Sequence, residues 1–291
     1  MSHFNRSGQR ALVVGGGGVV GIAWQIGVVV GLADAGVHLR NADLFIGTSA
    51  GANAAVMLTS SLTLEELFQR QLEPEPAALP LPRSLSEVLT ETARVREGAS
   101  NPLEARQRIG AWALANPTAT EAELRQRIEA RLPIHTWPQS RLALIAVDAE
   151  SGERVAFERS SGIRLDEALM ASSALPGIWP PLVIDGHRYM DGGVYTFENA
   201  DLAVGFERVL VLSFVSAPYP GAGLDHQIEV LRQSGSQVEA ITPDANLKAV
   251  LASVSGNPLD PSVRAPAARA GREQGRSLAH QVAGLWMEEI P

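Results

Sequence analysis

Two short apolar runs near the start of the chain each end at small residues. The first covers residues 11–14 and leads into four glycines at 15–18, and the second covers residues 44–46 and leads into Gly47. Runs of this kind predict strands that are buried on both faces, as in a parallel sheet. Between them, residues 22–35 are apolar almost all round, which predicts a buried helix. These elements predict a right-handed parallel α/β unit whose two loops lie at the carboxyl ends of their strands.

The middle of the chain predicts a helical insertion. Residues 72–100 contain closely spaced prolines, which cannot continue a helix. After them, an Asn-Pro start predicts a helix over residues 102–115, and a capping box predicts another over residues 121–132. We therefore expect residues 72–135 to form an insertion, which either covers a site as a lid or packs against the core.

Strand and helix signals alternate again in the second half of the chain. Asp185-Gly186 predicts the tight turn of a hairpin, because both residue types tolerate positive φ. The other signals predict strands at residues 141–148, 154–157, 182–184, 187–190 and 209–214, and helices at residues 165–172 and 265–288.

The loop after the second apolar run carries candidate chemistry. Its sequence, Gly47-Thr48-Ser49-Ala50-Gly51, is a Gly-x-Ser-x-Gly pattern between a predicted strand and a predicted helix. The two glycines leave room for a sharp, strained turn that lifts the Ser49 hydroxyl clear of the sheet. The following helix then points its N-terminus at the site, where N–H groups and the helix dipole stabilise an oxyanion. An ordinary small-residue turn has the same pattern, so the motif needs support from elsewhere in the chain.

The glycine run after the first strand allows two functional interpretations. Gly16, Gly17 and Gly18 present backbone amides without side chains, which predicts an oxyanion hole beside Ser49. The spacing Gly16-x-Gly18-x-x-Gly21 also matches a dinucleotide-binding fingerprint, which expects an acidic residue at the end of the next strand. Because Ser49 stands near that position instead, we favour the oxyanion hole and keep a nucleotide-binding module as the alternative. Tight strand–helix packing would also account for the glycines.

A serine hydroxyl needs a base to take its proton. Histidines of a Ser-acid-His triad would follow the serine, but none of these three has a setting typical of a site: His187, His226 and His280. Asp191 instead lies at the end of a predicted strand. A stiff loop at residues 174–181, whose aromatic and aliphatic side chains could line a pocket, precedes this hairpin. Gly192 and Gly193 follow Asp191 and let another backbone approach closely. A partly dry pocket would raise the pKa of Asp191 and make it a better base.

Composition excludes several classes of function. The net charge of −8 argues against nucleic-acid partners. The chain has no cysteine, which excludes disulfides, thiolate metal sites and a cysteine nucleophile, and its six histidines show no metal-ligand spacing. Residues 11–33 carry no charge and are long enough to span a bilayer, but their glycines oppose a continuous helix. We expect neither a transmembrane helix nor a signal peptide, and therefore a cytoplasmic protein.

Taken together and in this order, the motifs resemble those of the patatin-like phospholipase family. The matching pieces lie within about residues 11–215 and are residues 15–21, 47–51, 171–176 with 180–181, and 191–193. Besides the three oxyanion-hole glycines, the glycines that support the matching motifs are Gly15, Gly21, Gly47, Gly51, Gly192 and Gly193.

The resemblance implies an α/β fold with three layers, α/β/α, around a mostly parallel sheet. It implies one domain over residues 1–291, with the helical insertion at about residues 72–135, after the helix that follows the serine, and a C-terminal segment at about residues 216–291. It also implies hydrolysis of lipid acyl esters through a Ser–Asp dyad, with Ser49 as nucleophile and Asp191 as base, and without a cofactor.

A lipid or acyl-ester substrate and peripheral contact with a membrane follow from the same resemblance, while no oligomeric state is specified. One departure weakens any contact of the loop with a head group. The family often carries a basic residue near the end of its glycine loop, where this chain has Val20. A catalytically silent lipid-binding protein is therefore a further alternative.

Overall fold

The computed structural model describes residues 9–74, 81, 83–116, 119–215 and 223–287. Its strands are β1 (Arg10–Val14), β2 (Leu44–Thr48), β3 (Leu142–Asp148), β4 (Arg154–Phe157), β5 (Leu182–Ile184), β6 (His187–Asp191), β7 (Arg208–Leu212) and β8 (Gln237–Ile241). Its helices are α1 (Gly18–Asp34), α2 (Ala50–Leu58), α3 (Leu64–Leu72), α4 (Leu85–Arg96), α5 (Pro102–Ala115), α6 (Glu121–Glu129), α7 (Leu165–Ser172), α8 (Leu224–Gln233), α9 (Ala245–Ala252) and α10 (Arg264–Trp286). Short 3-10 turns occur at Leu39–Asn41, Arg159–Ser161, Gly192–Val194, Ala200–Ala203 and Pro261–Val263.

The strands form one sheet in the order β5-β6-β3-β2-β1-β7-β8, and β4 pairs with β3 in addition. Strands β1, β2, β3, β7 and β8 are parallel, whereas β4, β5 and β6 join in antiparallel pairs. The pairing of Val14 with Gly47 aligns the ends of β1 and β2, so the glycine loop and the serine turn leave the sheet side by side.

Alternate residues of the parallel strands enter two separate hydrophobic cores. Leu12 and Val14 belong to the core that includes buried residues of α1, α2, α7 and α10. Ala11 and Val13 belong to a second core on the opposite face, which includes Leu231 of α8. A sheet with helices on both faces confirms the predicted three-layer α/β/α fold.

Helix α1 accounts for the uncharged stretch at residues 11–33, because every residue of α1 from Val19 to Leu32 is buried. The backbone of α1 lies directly against α10. A Cβ added at Gly27 would lie 2.2 Å from the Ala268 carbonyl oxygen, and one at Gly31 would lie 2.0 Å from that of Arg272. Throughout the part of the chain that the structure describes, no helix combines the length and apolar composition needed to cross a bilayer.

The hairpin and the helical insertion agree with the sequence prediction. Asp185 and Gly186 have φ of 49° and 83°, as a two-residue hairpin turn requires. Helices α4, α5 and α6 lie between α3 and β3, within the predicted insertion. Helix α6 ends at Glu129, before the predicted end at residue 132.

Other elements differ from the prediction. Helix α4 begins inside the stretch at residues 72–100, where a capping box of Ser84 and Glu87 starts a new helix after the prolines. Helices α3, α8 and α9 and strand β8 were not predicted, and β8 extends the sheet by pairing with β7. Strand β7 covers Arg208–Leu212 rather than residues 209–214. Its partner β1 ends at Val14, opposite Leu212, where the glycine loop begins.

The contact between α1 and α10 can be tested with Gly31→Ala. The added methyl group must push the two helices apart, so the variant should lose about 1–3 kcal/mol of unfolding free energy. Urea unfolding of the purified variant measures this loss.

Gly284→Ala is the matched control, because Gly284 is exposed in α10 and no described atom lies within 4 Å of an added Cβ. This change should leave the unfolding free energy unchanged or raise it by up to about 1 kcal/mol. Equal losses in the two variants would contradict direct backbone contact.

Candidate active site

Strand β3 sets the distance between the two candidate catalytic residues. One edge of β3 pairs with β4. The other edge pairs first with β2, up to Thr48 opposite Ile145, and then with β6, from Asp191 opposite Ala146. Strands β2 and β6 therefore meet end to end along β3. Ser49 directly follows the last residue of β2, and Asp191 is the last residue of β6, so the register brings them together.

The turn at Ser49 is as sharp as the sequence predicts. Ser49 has φ of 56° and ψ of −119°, a conformation that non-glycine residues rarely adopt. A Cβ added at Gly51 would lie 1.9 Å from the Val14 carbonyl oxygen, and one at Gly47 would lie 2.6 Å from the Ala52 Cα. The strained turn therefore requires glycine on both sides of the serine.

Two neighbouring polar side chains hold the turn in place. The Ser49 N–H donates a hydrogen bond of 3.0 Å to Ser172 Oγ. Asn53 Nδ2 donates to Ser49 O at 3.1 Å and to Ser173 Oγ at 3.2 Å. The two serines lie in the segment at residues 171–176 that carries the family resemblance, but the sequence did not predict their contacts with the turn.

Asp191 is a buried carboxyl group, with 2 % of its surface exposed. Its Oδ1 accepts a hydrogen bond of 2.7 Å from the Gly193 N–H. Burial raises the pKa of Asp191 from 3.8 to about 6, and this effect outweighs the lowering by the Ser49 hydroxyl and the Gly193 N–H.

The Ser49 hydroxyl lies close enough to Asp191 to lower the pKa of its carboxyl group. Among the described residues, no donor meets normal hydrogen-bond geometry at Asp191 Oδ2. Catalytic hydrogen bonds often tighten only when the substrate binds. The second oxygen of this buried carboxyl group is therefore available to receive a proton.

Ser49 and Asp191 line the same cavity, which has a volume of about 80 Å³. Gly18 of the glycine loop and Ala50 of the α2 N-terminus line it as well. Apolar side chains make up much of the remaining wall, including those of Val19, Ile22, Leu124, Leu175, Ile178 and Trp179. The cavity thus combines a nucleophile, a carboxyl group and backbone amides with an apolar wall.

The glycine loop offers fewer amides than the sequence predicted. The Gly16 N–H donates to Phe197 O at 2.8 Å, so this amide is already engaged and we remove it from the predicted oxyanion hole. Among the described residues, no acceptor takes the N–H of Gly17 or Gly18. A Cβ added at Gly16 would lie 3.6 Å from Ser49 Cβ, which places the loop directly beside the serine.

Gly17 and Gly18 leave no room for a larger residue in the glycine loop. A Cβ added at Gly17 would lie 2.7 Å from the Phe214 ring. Gly18 has φ of 63°, and an added Cβ would lie 2.5 Å from the Pro258 carbonyl oxygen. Gln25 Nε2 of α1 donates a hydrogen bond of 2.6 Å to the carbonyl oxygen of Gly15, at the start of the loop.

Asn199 connects the serine strand to the aspartate turn, and sequence reasoning missed it. Its Nδ2 donates to Thr48 Oγ1 at 3.1 Å and to Thr196 O at 2.7 Å, and lies 3.4 Å from Gly192 O. Asn199 is fully buried and has φ of 54°, in the left-handed region that asparagine tolerates better than most residues. The sequence signal was weak, because a lone asparagine between glutamate and alanine is common.

A second buried carboxyl group lies behind the glycine loop. Glu198 is 3 % exposed, and its Oε1 accepts a hydrogen bond of 2.6 Å from Ser213 Oγ. Burial raises its pKa. Glu198 is not among the described residues that line the cavity. Its side chain lies beside Gly15, so it supports the start of the glycine loop rather than facing a substrate.

No histidine is among the described residues that line the cavity. The His187 side chain is 65 % exposed and lies 3.3 Å from Asp148 Oδ2. His226 and His280 are exposed on helices. His135, a fourth later histidine that the sequence reasoning did not weigh, is exposed in a bend between α6 and β3. Within the described ranges, no three His, Asp or Glu side chains are grouped as metal ligands.

Comparison with known families relates the chain to one family. The family model for patatin-like phospholipases matches residues 12–204, which is more than half of the chain. This chain belongs to the patatin-like phospholipase family. Membership indicates a lipid acyl hydrolase at the level of the family. No curated protein sequence gives a significant match to the chain.

Solved structures with a similar chain path include those of VipD and ExoU. VipD from Legionella pneumophila is 12% identical, and the match covers 94% of this chain and 66% of VipD at a TM-score of 0.46. The type III effector ExoU is 18% identical, with 96% of this chain and 54% of ExoU covered at a TM-score of 0.42.

A third similar structure holds full-length ExoU from the type III secretion system of Pseudomonas aeruginosa in complex with SpcU. It is 17% identical, with 94% of this chain and 52% of that chain covered at a TM-score of 0.40. This chain therefore spans about half to two thirds of the length of these structures.

The raised pKa of Asp191 predicts a pH dependence of stability. Between about pH 4 and pH 6 the folded protein keeps a proton on Asp191 that the unfolded chain has lost, so stability falls as the pH rises through this window. Relative to Asp191→Asn, the wild type should lose about 3 kcal/mol of unfolding free energy across it. Urea unfolding of both proteins at a series of pH values measures the difference, and parallel curves would contradict a raised pKa.

Proposed function

We propose that this protein is a serine acyl hydrolase that cleaves fatty-acyl esters of lipids through a Ser49–Asp191 dyad. The observation that carries the proposal is the shared cavity, where a serine on a strained turn meets a buried carboxyl group. The activity is of the phospholipase A, lysophospholipase or esterase type. Contact with a membrane surface would supply such a substrate.

The first half of the reaction forms an acyl-enzyme. Asp191 Oδ2 takes the proton of the Ser49 hydroxyl as Oγ attacks the ester carbonyl carbon. The carbonyl oxygen becomes an oxyanion, which the amides of Gly17 and Gly18 and the N-terminus of α2 stabilise, at roughly 3–4 kcal/mol per well-placed donor. The tetrahedral intermediate then collapses, and the leaving alcohol takes the proton from Asp191.

The second half releases the fatty acid. Asp191 takes a proton from water as the water oxygen attacks the acyl carbon. Collapse of the second tetrahedral intermediate breaks the bond to Ser49 Oγ, which recovers the proton from Asp191. The fatty acid leaves along the apolar wall of the cavity, and both residues return to their starting states.

The pKa of Asp191 suits this role. A carboxyl group of ordinary pKa is too weak a base to help a serine, whereas a pKa of about 6 matches a base that works near neutral pH. Besides burial, the groups that shift the pKa of Asp191 are the Ser49 hydroxyl and the Gly193 N–H, and no cation is among them.

Removal of either dyad residue tests the proposal. Ser49→Ala and Asp191→Asn should each lower kcat for p-nitrophenyl butyrate by about ten-thousandfold or more, because each removes an essential step. The matched controls are His187→Ala, His226→Ala and His280→Ala, which should keep wild-type activity because these side chains lie outside the cavity. Loss of activity in a folded histidine variant would instead indicate a Ser-His-acid triad.

Labelling by a fluorophosphonate separates the alternatives. The probe should label the wild type at Ser49 and should not label Ser49→Ala, because only an activated serine reacts. A catalytically silent lipid-binding protein would bind lipid without labelling. Tight dinucleotide binding without labelling would favour a nucleotide-binding module.

The pH dependence of activity gives a further test. The value of kcat/KM for p-nitrophenyl butyrate should rise with pH and reach half of its maximum near pH 6, because Asp191 must be ionised to act as a base. Glu198→Gln is the control, since it removes the other buried carboxyl group with a raised pKa near the loop. If the midpoint moved in Glu198→Gln, the titration would belong to Glu198 and not to Asp191.

A further inference from the structure

Hydrogen bonds at both ends of one peptide group hold the start of the glycine loop. In the peptide between Gly15 and Gly16, the Gly16 N–H donates to Phe197 O at 2.8 Å. The carbonyl oxygen of the same peptide, Gly15 O, accepts a hydrogen bond of 2.6 Å from Gln25 Nε2. A planar trans peptide directs its N–H and its C=O to opposite sides. The two bonds together therefore fix the orientation of this peptide plane.

The next two amides along the loop are those of the proposed oxyanion hole. The Gly17 carbonyl oxygen accepts a hydrogen bond of 2.9 Å from the Gly21 N–H, in the first turn of α1. The Gly18 N–H belongs to the same peptide as that oxygen, so it points out of the helix N-terminus, and Gly18 lines the cavity that holds Ser49. The Gly17 N–H lies between two fixed peptides. Because glycine backbones rotate easily, its direction depends on both of them.

Gln25 makes this contact from the interior of the protein. It lies in the middle of α1, and none of its surface is exposed. Gly15 O can only accept a hydrogen bond, so the Gln25 atom that faces it must be Nε2. Among the described residues, no donor pairs with Gln25 Oε1. A buried glutamine with one unpaired polar atom costs stability, and its bond to the loop is the contact that accounts for it.

We propose that Gln25 is a positioning residue for the oxyanion hole, and that it orients the Gly17 amide by holding the Gly15 carbonyl oxygen. The inference rests on the proposed function of the Ser49–Asp191 pair. Gln25 is not among the described residues that line the cavity, so it acts through the loop and not on the substrate. Without Gln25, a buried carbonyl oxygen loses its donor and the peptide turns toward another one. The next amide then leaves its place beside the developing oxyanion.

Gln25→Leu tests the proposal, because leucine is also a branched side chain of moderate size but donates no hydrogen bond. For p-nitrophenyl butyrate, kcat should fall about tenfold to a hundredfold. The value of KM should stay close to that of the wild type, since the hole stabilises the transition state and not the bound ester. Steady-state kinetics of the purified, folded variant measure both constants.

Gln274→Leu is the matched control. Gln274 is also buried, and its Nε2 also donates to a backbone carbonyl oxygen, that of Thr242, at 2.7 Å. It contacts α1 through Trp24 Nε1, which donates to Gln274 Oε1 at 2.8 Å, and neither bond involves the glycine loop. Gln274→Leu should therefore lower the unfolding temperature and leave kcat unchanged.

A trifluoromethyl ketone measures the oxyanion hole directly. Ser49 Oγ adds to the carbonyl carbon of pentyl trifluoromethyl ketone, Asp191 takes the hydroxyl proton, and the carbonyl oxygen becomes the oxyanion of a tetrahedral adduct. The inhibition constant should rise in Gln25→Leu by about the same factor as kcat falls. Gln274→Leu should keep the inhibition constant of the wild type.

Gln25→Glu is the conservative variant. A protonated carboxyl group has the shape of the amide and one O–H donor for Gly15 O, and burial favours this form. The ratio of its kcat to that of the wild type should be close to one at about pH 6 and should fall toward about pH 9, as the carboxyl group ionises. The titrations of Asp191 and of Glu198, which also lies beside Gly15, are common to both proteins and cancel in the ratio. In Gln25→Leu the ratio should not change with pH.

Three outcomes would overturn this role of Gln25. They are a wild-type kcat in folded Gln25→Leu, equal losses of kcat in Gln25→Leu and Gln274→Leu, and an unchanged inhibition constant where kcat has fallen. If Gln25→Leu does not fold, Gln25→Glu decides, and a ratio that stays at one up to about pH 9 contradicts the proposal.

Failure of the dyad gives a different set of results. If Ser49→Ala and Asp191→Asn are inactive while Gln25→Leu keeps the wild-type kcat, the dyad stands and the role of Gln25 fails. The amide NMR signal of Gly17 needs no turnover, and it should shift in Gln25→Leu and not in Gln274→Leu. If the wild type hydrolyses no ester but this shift is present, the proposed function fails and the positioning of the loop by Gln25 stands.

Discussion

The register of β3 is the constraint on which the rest of the site depends. A strand edge can pair with only one partner at each residue. The edge of β3 that faces away from β4 pairs with β2 as far as Ile145 and with β6 from Ala146 onward. The ends of β2 and β6 therefore face each other. A shift of one residue in either pairing would turn the side chains of that strand to the opposite face of the sheet. Ser49 and Asp191 would then no longer share a cavity.

Close backbone contacts allow these ends to meet. A Cβ added at Gly192 would lie 2.3 Å from the Ile145 carbonyl oxygen, and Gly51 has a similar contact with Val14. Larger residues at these glycines would push the serine turn and the aspartate turn away from the sheet. Asn199 then joins the two turns through hydrogen bonds to Thr48 and to Gly192. The result is a rigid arrangement in which the strain at Ser49 is supported from several sides.

Electrostatics at the site follow from this packing. Because the turns exclude water, the carboxyl group of Asp191 loses solvation, and its pKa rises toward the range in which a base works at neutral pH. Two donors offset part of this cost, the Gly193 N–H and the Ser49 hydroxyl. Arg127 and Arg131, which also line the cavity, come from the helical insertion and not from the motif-bearing strands.

Sequence alone determined the features that depend on local backbone chemistry. The sharp turn at Ser49, the hairpin at Asp185-Gly186 and the position of Asp191 at a strand end each follow from glycine, aspartate and an adjoining apolar run. Buried strands and the buried helix α1 followed from uninterrupted apolar residues. The family's motif order then related these local features to one another.

Only the tertiary structure decided the features that depend on contacts between distant residues. The Gly16 amide is engaged by Phe197, some distance along the chain, and no local pattern could show this. Strand β8 and helix α8 have short, mixed patterns and become regular only because β7 and the second core provide a surface for them. The arginines near Ser49 look like an ordinary solvated helix face in the sequence, since which side of α6 meets the cavity is set by packing and not by the residues of α6 alone.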